Sequence, residues 1–187
     1  MDLLAIVQSV IFILGTIAVV LISRKSLRSL NYHGFYRFFV FEFTLILVVL
    51  NFPHWFENPF SFKQIISWIL LIVSLLLLAQ SIYFFKHYGG VKKRRDNTTN
   101  FEFENTVTLI REGIYKYIRH PMYGSLLFLA FGAMLKYISI LTISLAVATL
   151  IFIIFTAKTE EKENIKFFGT DYVDYMQTTK MFIPFVF

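Results

Sequence analysis

Five long apolar runs dominate the sequence and restrict the kind of protein that the chain can form. They fall at about residues 3–22, 35–52, 65–85, 122–135 and 138–155. Each has roughly 14 to 21 residues, and about 20 apolar residues in a helix cross the hydrocarbon core of a bilayer. The pattern therefore predicts an all-α, integral membrane bundle of about five transmembrane helices.

The composition agrees with a membrane protein built as one domain. Of the 187 residues, 57% are hydrophobic and 23 are phenylalanine, above the apolar share of soluble domains. We predict a single domain over residues 1–187. Residues 1–88 would carry three transmembrane helices, and residues 89–187 a polar loop, a helical hairpin and C-terminal helices. The first run follows Asp2 without a basic leader, so we interpret it as a retained helix and not a signal peptide.

The absence of cysteine excludes disulfides, thiolate nucleophiles and thiolate metal sites. The four histidines show no metal-ligand spacing, so no metal is expected. The net charge of +6 could indicate nucleic acid, but the basic residues cluster at the ends of apolar runs, where they would face lipid headgroups. We therefore expect contact with membrane lipid and none with nucleic acid.

The distribution of basic residues predicts the orientation. Arg24, Lys25 and Arg28 follow the first run, and residues 92–95 are all Lys or Arg after the third. Because cytoplasmic loops are enriched in Lys and Arg, we expect a multi-pass protein with its N-terminus outside and its C-terminus in the cytoplasm.

The last two apolar runs predict a helical hairpin with charged residues at its open end. Only Lys136 and Tyr137 separate the runs, and Pro121 fits the first turn of the helix that follows it. The chain should therefore return to the membrane face where it entered, with Arg119 and His120 close to the acidic pair Glu160–Glu161. The alternative is that these residues are ordinary anchors at the membrane interface.

A site with both charge signs and several tyrosines suits a zwitterionic cofactor that also carries a cation. S-adenosylmethionine is one such molecule, since its sulfonium is attracted by aromatic faces. These chemical features alone do not single it out. The helix start at Pro121 would also suit a carboxylate or phosphate.

The segment "LIREGIYKYIRHPMYGS", the hairpin, the "EE" pair and the following "FFGTDYVDY" together resemble the isoprenylcysteine carboxyl methyltransferases and the related phospholipid methyltransferases. The resemblance covers about the last 80 residues and implies a cytoplasmic pocket for S-adenosylmethionine. The residues that it implicates in cofactor binding, together with the second acid of the pair, are Val107, Thr108, Leu109, Ile110, Tyr115, His120, Pro121, Met122, Tyr123, Glu160 and Glu161.

The acceptor implied by the resemblance is lipophilic: a prenylcysteine-like carboxylate, a phospholipid amine or a small thiol, with a lipidated molecule as another partner. Prenylcysteine enzymes typically place a substrate-binding arginine one helical turn before the first acid, where this chain has Thr156. An amine acceptor would first lose a proton, for which Glu161 is a candidate base. No other catalytic residue is assigned.

Two other functions are compatible with the same residues. One is an NADPH-dependent reductase of the membrane sterol-reductase type, and the other is a helix bundle without enzymatic activity. Binding of NADPH would identify the first. The second predicts that substitutions in the motif alter assembly without changing the affinity for any small molecule.

Overall fold

The computed structural model describes residues 3–89 and 107–186, and its regular structure there is helical apart from one isolated bridge. Six α-helices follow one another in the described ranges: α1 Leu3–Ser23, α2 His33–Asn51, α3 Phe62–Tyr88, α4 Pro121–Met134, α5 Ile140–Phe168 and α6 Thr170–Thr178. The predicted polar loop lies largely outside the described residues. Its described end contains a 3₁₀ turn at Gly113–Lys116.

Four helices, α1, α2, α3 and α5, are long and apolar enough to cross a membrane. The multi-pass helical architecture is thus confirmed, although only four of the five apolar runs form helices of spanning length. The fourth run forms α4, which has 14 residues and is about 21 Å long at ~1.5 Å per residue. Because the hydrocarbon core of a bilayer is about 30 Å thick, α4 is too short to span it.

Small and hydroxyl-bearing residues join α3 to α4. Ser67 donates a hydrogen bond to the carbonyl of Gly132 at 2.7 Å, and Ser74 donates to the carbonyl of Ser125 at 2.7 Å. A side chain at Gly132 would come within 3.0 Å of Leu71. Close approach through small residues is how helices associate in lipid, where apolar burial gives little driving force.

Aromatic packing joins α2 to α5. The rings of Phe39 and Phe152 lie 4.9 Å apart, and Phe43 packs edge-on against Phe152 at 5.5 Å. On its other side α2 receives α1, where Thr16 donates a hydrogen bond to Glu42 at 3.0 Å. Helix α2 therefore connects the first helix to the hairpin.

The turn between α4 and α5 is anchored to α3 by a buried lysine. Lys136 is 0% exposed, donates to Gln64 Oε1 at 2.9 Å, and lies with Nζ 3.4 Å from the ring centroid of Trp68. Burial lowers the pKa of this ammonium group. Helix α5 then begins with a reciprocal capping box between Ser139 and Thr142.

Helix α5 is twice as long as α4, with 29 residues, and continues past the start of α4. It ends where Gly169 adopts a φ of 64°, a conformation that glycine takes without strain. Gly169 also occupies the N-cap position of α6, directly before Thr170. The extension of α5 and the helix α6 together form a wall above the beginning of α4.

Candidate active site

The Arg119-His120-Pro121 motif is held by the end of the chain. Residues 179–183, which we call the C-terminal strap, run parallel to the motif. The amides of Arg119 and His120 donate to the carbonyls of Lys180 and Met181 at 2.8 and 3.1 Å. Since the strap uses these two amides, neither of them is left for a carboxylate or phosphate ligand.

Arg119 forms a buried ion pair with the second acid of α5. Its Nε donates to Glu161 Oε1 at 2.8 Å, and both side chains are 9% exposed. Its Nη1 donates to the carbonyls of Met176 and Thr179. The guanidinium thus connects the motif, α5 and the strap.

His120 lies between the two acids of α5. Its Nε2 is 3.3 Å from Glu161 Oε1, and its Nδ1 is 3.9 Å from Glu160 Oε2. The ring stacks on Tyr123 with centroids 5.5 Å apart and packs against Phe182 of the strap. The hairpin therefore brings together the charged groups that the sequence predicts it to bring together.

The two neighbouring glutamates have different environments because adjacent residues on a helix point about 100° apart. Glu161 points into the protein, towards Arg119 and His120. Glu160 is 26% exposed and accepts a hydrogen bond from the Tyr123 hydroxyl at 2.5 Å. Glu160 is therefore the acid that faces open space.

A large pocket lies above this cluster, between the extension of α5, α6 and the segment that precedes the motif. It contains about 600 Å³ of space including its open mouth. Its lining combines aromatic faces with two carboxylates. The lining residues are His33, Phe85, Thr108, Leu109, Ile110, Tyr115, Arg119, Glu160, Glu163, Asn164, Phe168, Tyr172 and Tyr175.

A small pocket adjoins the large one at the first turn of α4. It contains about 300 Å³ of space. Its lining residues are Phe85, Tyr115, Arg119, His120, Pro121, Met122, Tyr123 and Glu160. Phe85, Tyr115, Arg119 and Glu160 line both pockets, so the two cavities share one wall. Glu160 is the acid of that shared wall.

Two tyrosines of α6 close the large pocket on one side. Tyr172 and Tyr175 are buried, and Tyr175 donates a hydrogen bond to the carbonyl of Tyr115 at 2.6 Å. Burial raises the pKa of the Tyr172 phenol, with a further contribution from the negative charge of Glu160. Burial also raises the pKa of the Tyr175 phenol. Both side chains therefore act as neutral hydrogen-bonding groups.

Most of the residues proposed from the sequence line one of the two pockets, with two exceptions. Val107 contacts Gly89 through its backbone amide, at 3.2 Å, and lines neither pocket. Glu161 lies behind the wall, paired with Arg119. Glu161 therefore faces neither pocket.

Several pocket residues were not identified from the sequence. Glu163 and Asn164 lie three and four positions after Glu160, a spacing that places them on the same face of a helix and could have revealed them. Phe85 and His33 come from α3 and α2. No local pattern connects these two residues to the motif.

Comparison with known protein families identifies a match that covers more than half of the chain. The family model described as phospholipid methyltransferase matches residues 62–171. That range begins at α3 and includes the motif, the hairpin and both acids. No curated protein matches the chain significantly.

Proposed function

Because this chain belongs to the phospholipid methyltransferase family, we propose that its two adjoining pockets hold the methyl donor and a lipophilic acceptor on either side of Glu160. The protein is a membrane-embedded, S-adenosylmethionine-dependent methyltransferase, as members of this family are. The acceptor is lipid-like. We also propose the identity of the methylated group and the roles of individual residues.

The large pocket fits the donor. S-adenosylmethionine supplies a methyl group on a sulfonium, next to an ammonium, a carboxylate and an adenosyl group. Phe85 and Tyr115 offer aromatic faces that suit a flat base and a cation, and Glu160 and Glu163 offer negative charge. The open mouth would admit a polar molecule from water.

The small pocket is the better candidate for the acceptor. It lies at the first turn of α4, which is too short to span the bilayer, and it is lined by apolar and aromatic side chains such as Met122, Tyr123 and Phe85. A lipid headgroup could reach this depth while its chains remain in the membrane. Because the two pockets adjoin, the donor and the acceptor would lie within reach of each other. Holding two reactants close together accounts for much of the catalysis of a methyl transfer.

We propose an amine as the methylated group, and the position of Glu160 is the observation that carries this choice. A carboxylate in the wall between the pockets attracts a protonated amine and can accept its proton before attack. It would repel an acceptor carboxylate. Tyr123 fixes the orientation of Glu160 by donating to it.

The side chains at positions that could bind an acceptor carboxylate also argue against one. Thr156 is fully buried and donates to the carbonyl of Phe152 at 2.7 Å, so it does not replace the arginine of prenylcysteine enzymes. Lys158 is exposed and lines neither pocket. Arg119 lines both pockets, but its charge is matched by Glu161.

We further propose that the pocket end of the bundle faces the cytoplasm. Arg24, Lys25 and Arg28 follow α1, and basic residues of this kind favour the cytoplasmic side. Glu163 of the pocket wall contacts His33 at the start of α2, so the donor pocket lies at the same end. Donor would then come from the cytoplasm.

The decisive experiment is a methyl-transfer assay with the purified chain in lipid nanodiscs and donor labelled in the methyl group. We expect label to enter an amine-headed phospholipid, and not a prenylcysteine or a lipophilic thiol, and we expect Glu160→Gln to abolish transfer. Methylation of prenylcysteine alone would contradict the amine assignment. Failure of the wild-type chain to bind S-adenosylhomocysteine would contradict the assignment of the donor pocket.

A further inference from the structure

Glu163 of α5 caps the first residue of α2. The backbone N–H of His33 donates to Glu163 Oε1 at 3.0 Å, and Nδ1 of the same residue lies 2.8 Å from Glu163 Oε2. The side chain of His33 is 2% exposed and that of Glu163 is 15% exposed. Two contacts to one residue hold the carboxylate in a single orientation.

Both residues line the large pocket, although they come from distant parts of the chain. His33 lies outside residues 62–171, the part matched by the family model. The first half of the chain therefore contributes directly to the wall of the pocket. This contribution goes beyond support of the bundle by aromatic packing between α2 and α5.

Glu163 also has a defined place relative to the proposed reaction. It follows Glu160 by three residues on α5, so it lies roughly one helical turn, ~5 Å, further from the small pocket. If the reacting methyl group faces Glu160, the groups next to the sulfonium lie near Glu163. In S-adenosylmethionine these groups are the methionyl ammonium and the ribose hydroxyls, and both donate hydrogen bonds.

We propose that Glu163 is a donor-binding residue, which accepts a hydrogen bond from the ammonium or a ribose hydroxyl, and that His33 is the positioning residue that orients it. Each carboxylate oxygen contacts one nitrogen of His33, and a carboxylate oxygen can accept more than one hydrogen bond. The inference rests on the proposed function, because it assumes that the large pocket holds the donor.

The test measures binding of two donor analogues to purified protein by calorimetry. S-adenosylhomocysteine carries both the amino-acid part and the ribose, whereas methylthioadenosine carries only the ribose. We expect Glu163→Gln to weaken S-adenosylhomocysteine binding roughly tenfold or more, the effect of losing a charge-assisted hydrogen bond. An unchanged affinity for methylthioadenosine would assign the contact to the ammonium, and a matching loss would assign it to the ribose.

The role of His33 is tested with a pair of variants. His33→Ala should weaken S-adenosylhomocysteine binding and raise the KM for the donor severalfold, with kcat and the KM for the acceptor unchanged. His33→Asn should recover most of the affinity, because the asparagine amide can donate from a position close to that of Nδ1. A purely structural histidine would not give this selective effect on the donor, nor the recovery.

Phe39→Leu is the matched control. It loosens the same pair of helices through the Phe39–Phe152 contact and lines neither pocket. It should lower the unfolding temperature without changing the affinity for either analogue. Equal weakening by Phe39→Leu and His33→Ala would overturn the positioning role.

The two proposals can fail separately. If wild-type protein binds S-adenosylhomocysteine and Glu163→Gln binds it equally well, the inference about Glu163 is wrong while the donor pocket stands. If the wild-type chain binds neither analogue, the donor pocket itself is wrong.

Discussion

Arg119 and Glu161 form an ion pair at 2.8 Å with both side chains nearly enclosed, and this pair joins the start of α4 to α5. The neighbouring Glu160 faces the pockets. The two adjacent acids thus have different environments, and we expect Glu161 to stabilise the fold and Glu160 to act in methyl transfer.

Glu161→Gln should destabilise the fold, whereas Glu160→Gln should not. Removing one partner of a buried pair leaves an uncompensated charge, which costs about 3–5 kcal/mol. Thermal unfolding in detergent should therefore show a large fall in melting temperature for Glu161→Gln alone. Glu160→Gln should retain the melting temperature and lose methyl transfer by about 100-fold or more, as expected for a proton acceptor. Equal loss of stability in both variants would contradict this assignment of roles.

Tyr123→Phe should lower the rate of transfer without unfolding the protein. The Tyr123 hydroxyl donates to Glu160 at 2.5 Å, and a hydrogen bond to a charged group contributes about 1.5–3 kcal/mol. We expect kcat to fall about tenfold, with the KM for the donor unchanged. Tyr117→Phe is the control, since Tyr117 is close in sequence but 44% exposed and lines neither of these pockets. A rate equal to that of the wild type would show that Tyr123 does not orient Glu160.

Stability should fall at alkaline pH through Tyr172. Burial and the charge of Glu160 raise the pKa of this phenol, so the unfolded chain ionises at about pH 10 while the folded chain keeps the neutral phenol. Its contribution to stability is therefore complete below about pH 10 and is lost as the pH rises further. Above that pH, the melting temperature of Tyr172→Phe should fall less steeply than that of the wild type.

The control for this measurement is Tyr88→Phe, at a tyrosine about half exposed. Its pH dependence should match the wild type. Lys136, whose pKa burial lowers, contributes equally to all three proteins and cancels in the comparison. Parallel curves for wild type and Tyr172→Phe would exclude a titrating role for Tyr172.

Single cysteines test the proposed orientation, because the chain has no cysteine of its own. Lys166 is exposed on the extension of α5, and Glu57 is exposed between α2 and α3. In intact cells, a membrane-impermeant maleimide should label Glu57→Cys and should label Lys166→Cys only after lysis. The reverse pattern would place the pocket outside the cytoplasm.

The hairpin and its motif could be predicted because short-range rules determine them. Pro121 starts a helix. Only Lys136 and Tyr137 separate the last two apolar runs, which leaves room for a turn and nothing longer. A chain that turns once must return to the membrane face where it entered. These rules place Arg119 and His120 near the acidic pair. They do not determine which acid faces the pockets, since that depends on the rotation of α5 against its neighbours.

The remaining wall of the site depends on long-range contacts that no local pattern encodes. His33 lies 130 residues before its partner Glu163, and Phe85 reaches the pockets from α3. The strap is not encoded locally either, because an apolar tail of this kind could equally rest on the membrane surface or cover the pocket. Instead Phe182 is fully buried against the motif, while Phe185 is largely exposed.

The position of the strap also has a consequence for the order of events during synthesis. Residues 179–183 leave the ribosome after helices α1 to α6, yet they hold the backbone of Arg119 and His120. A nascent chain whose helices are already inserted would therefore still lack an ordered motif. Methylation competence would be acquired only once the strap has been synthesised, so products truncated before it would occupy the bilayer without consuming donor.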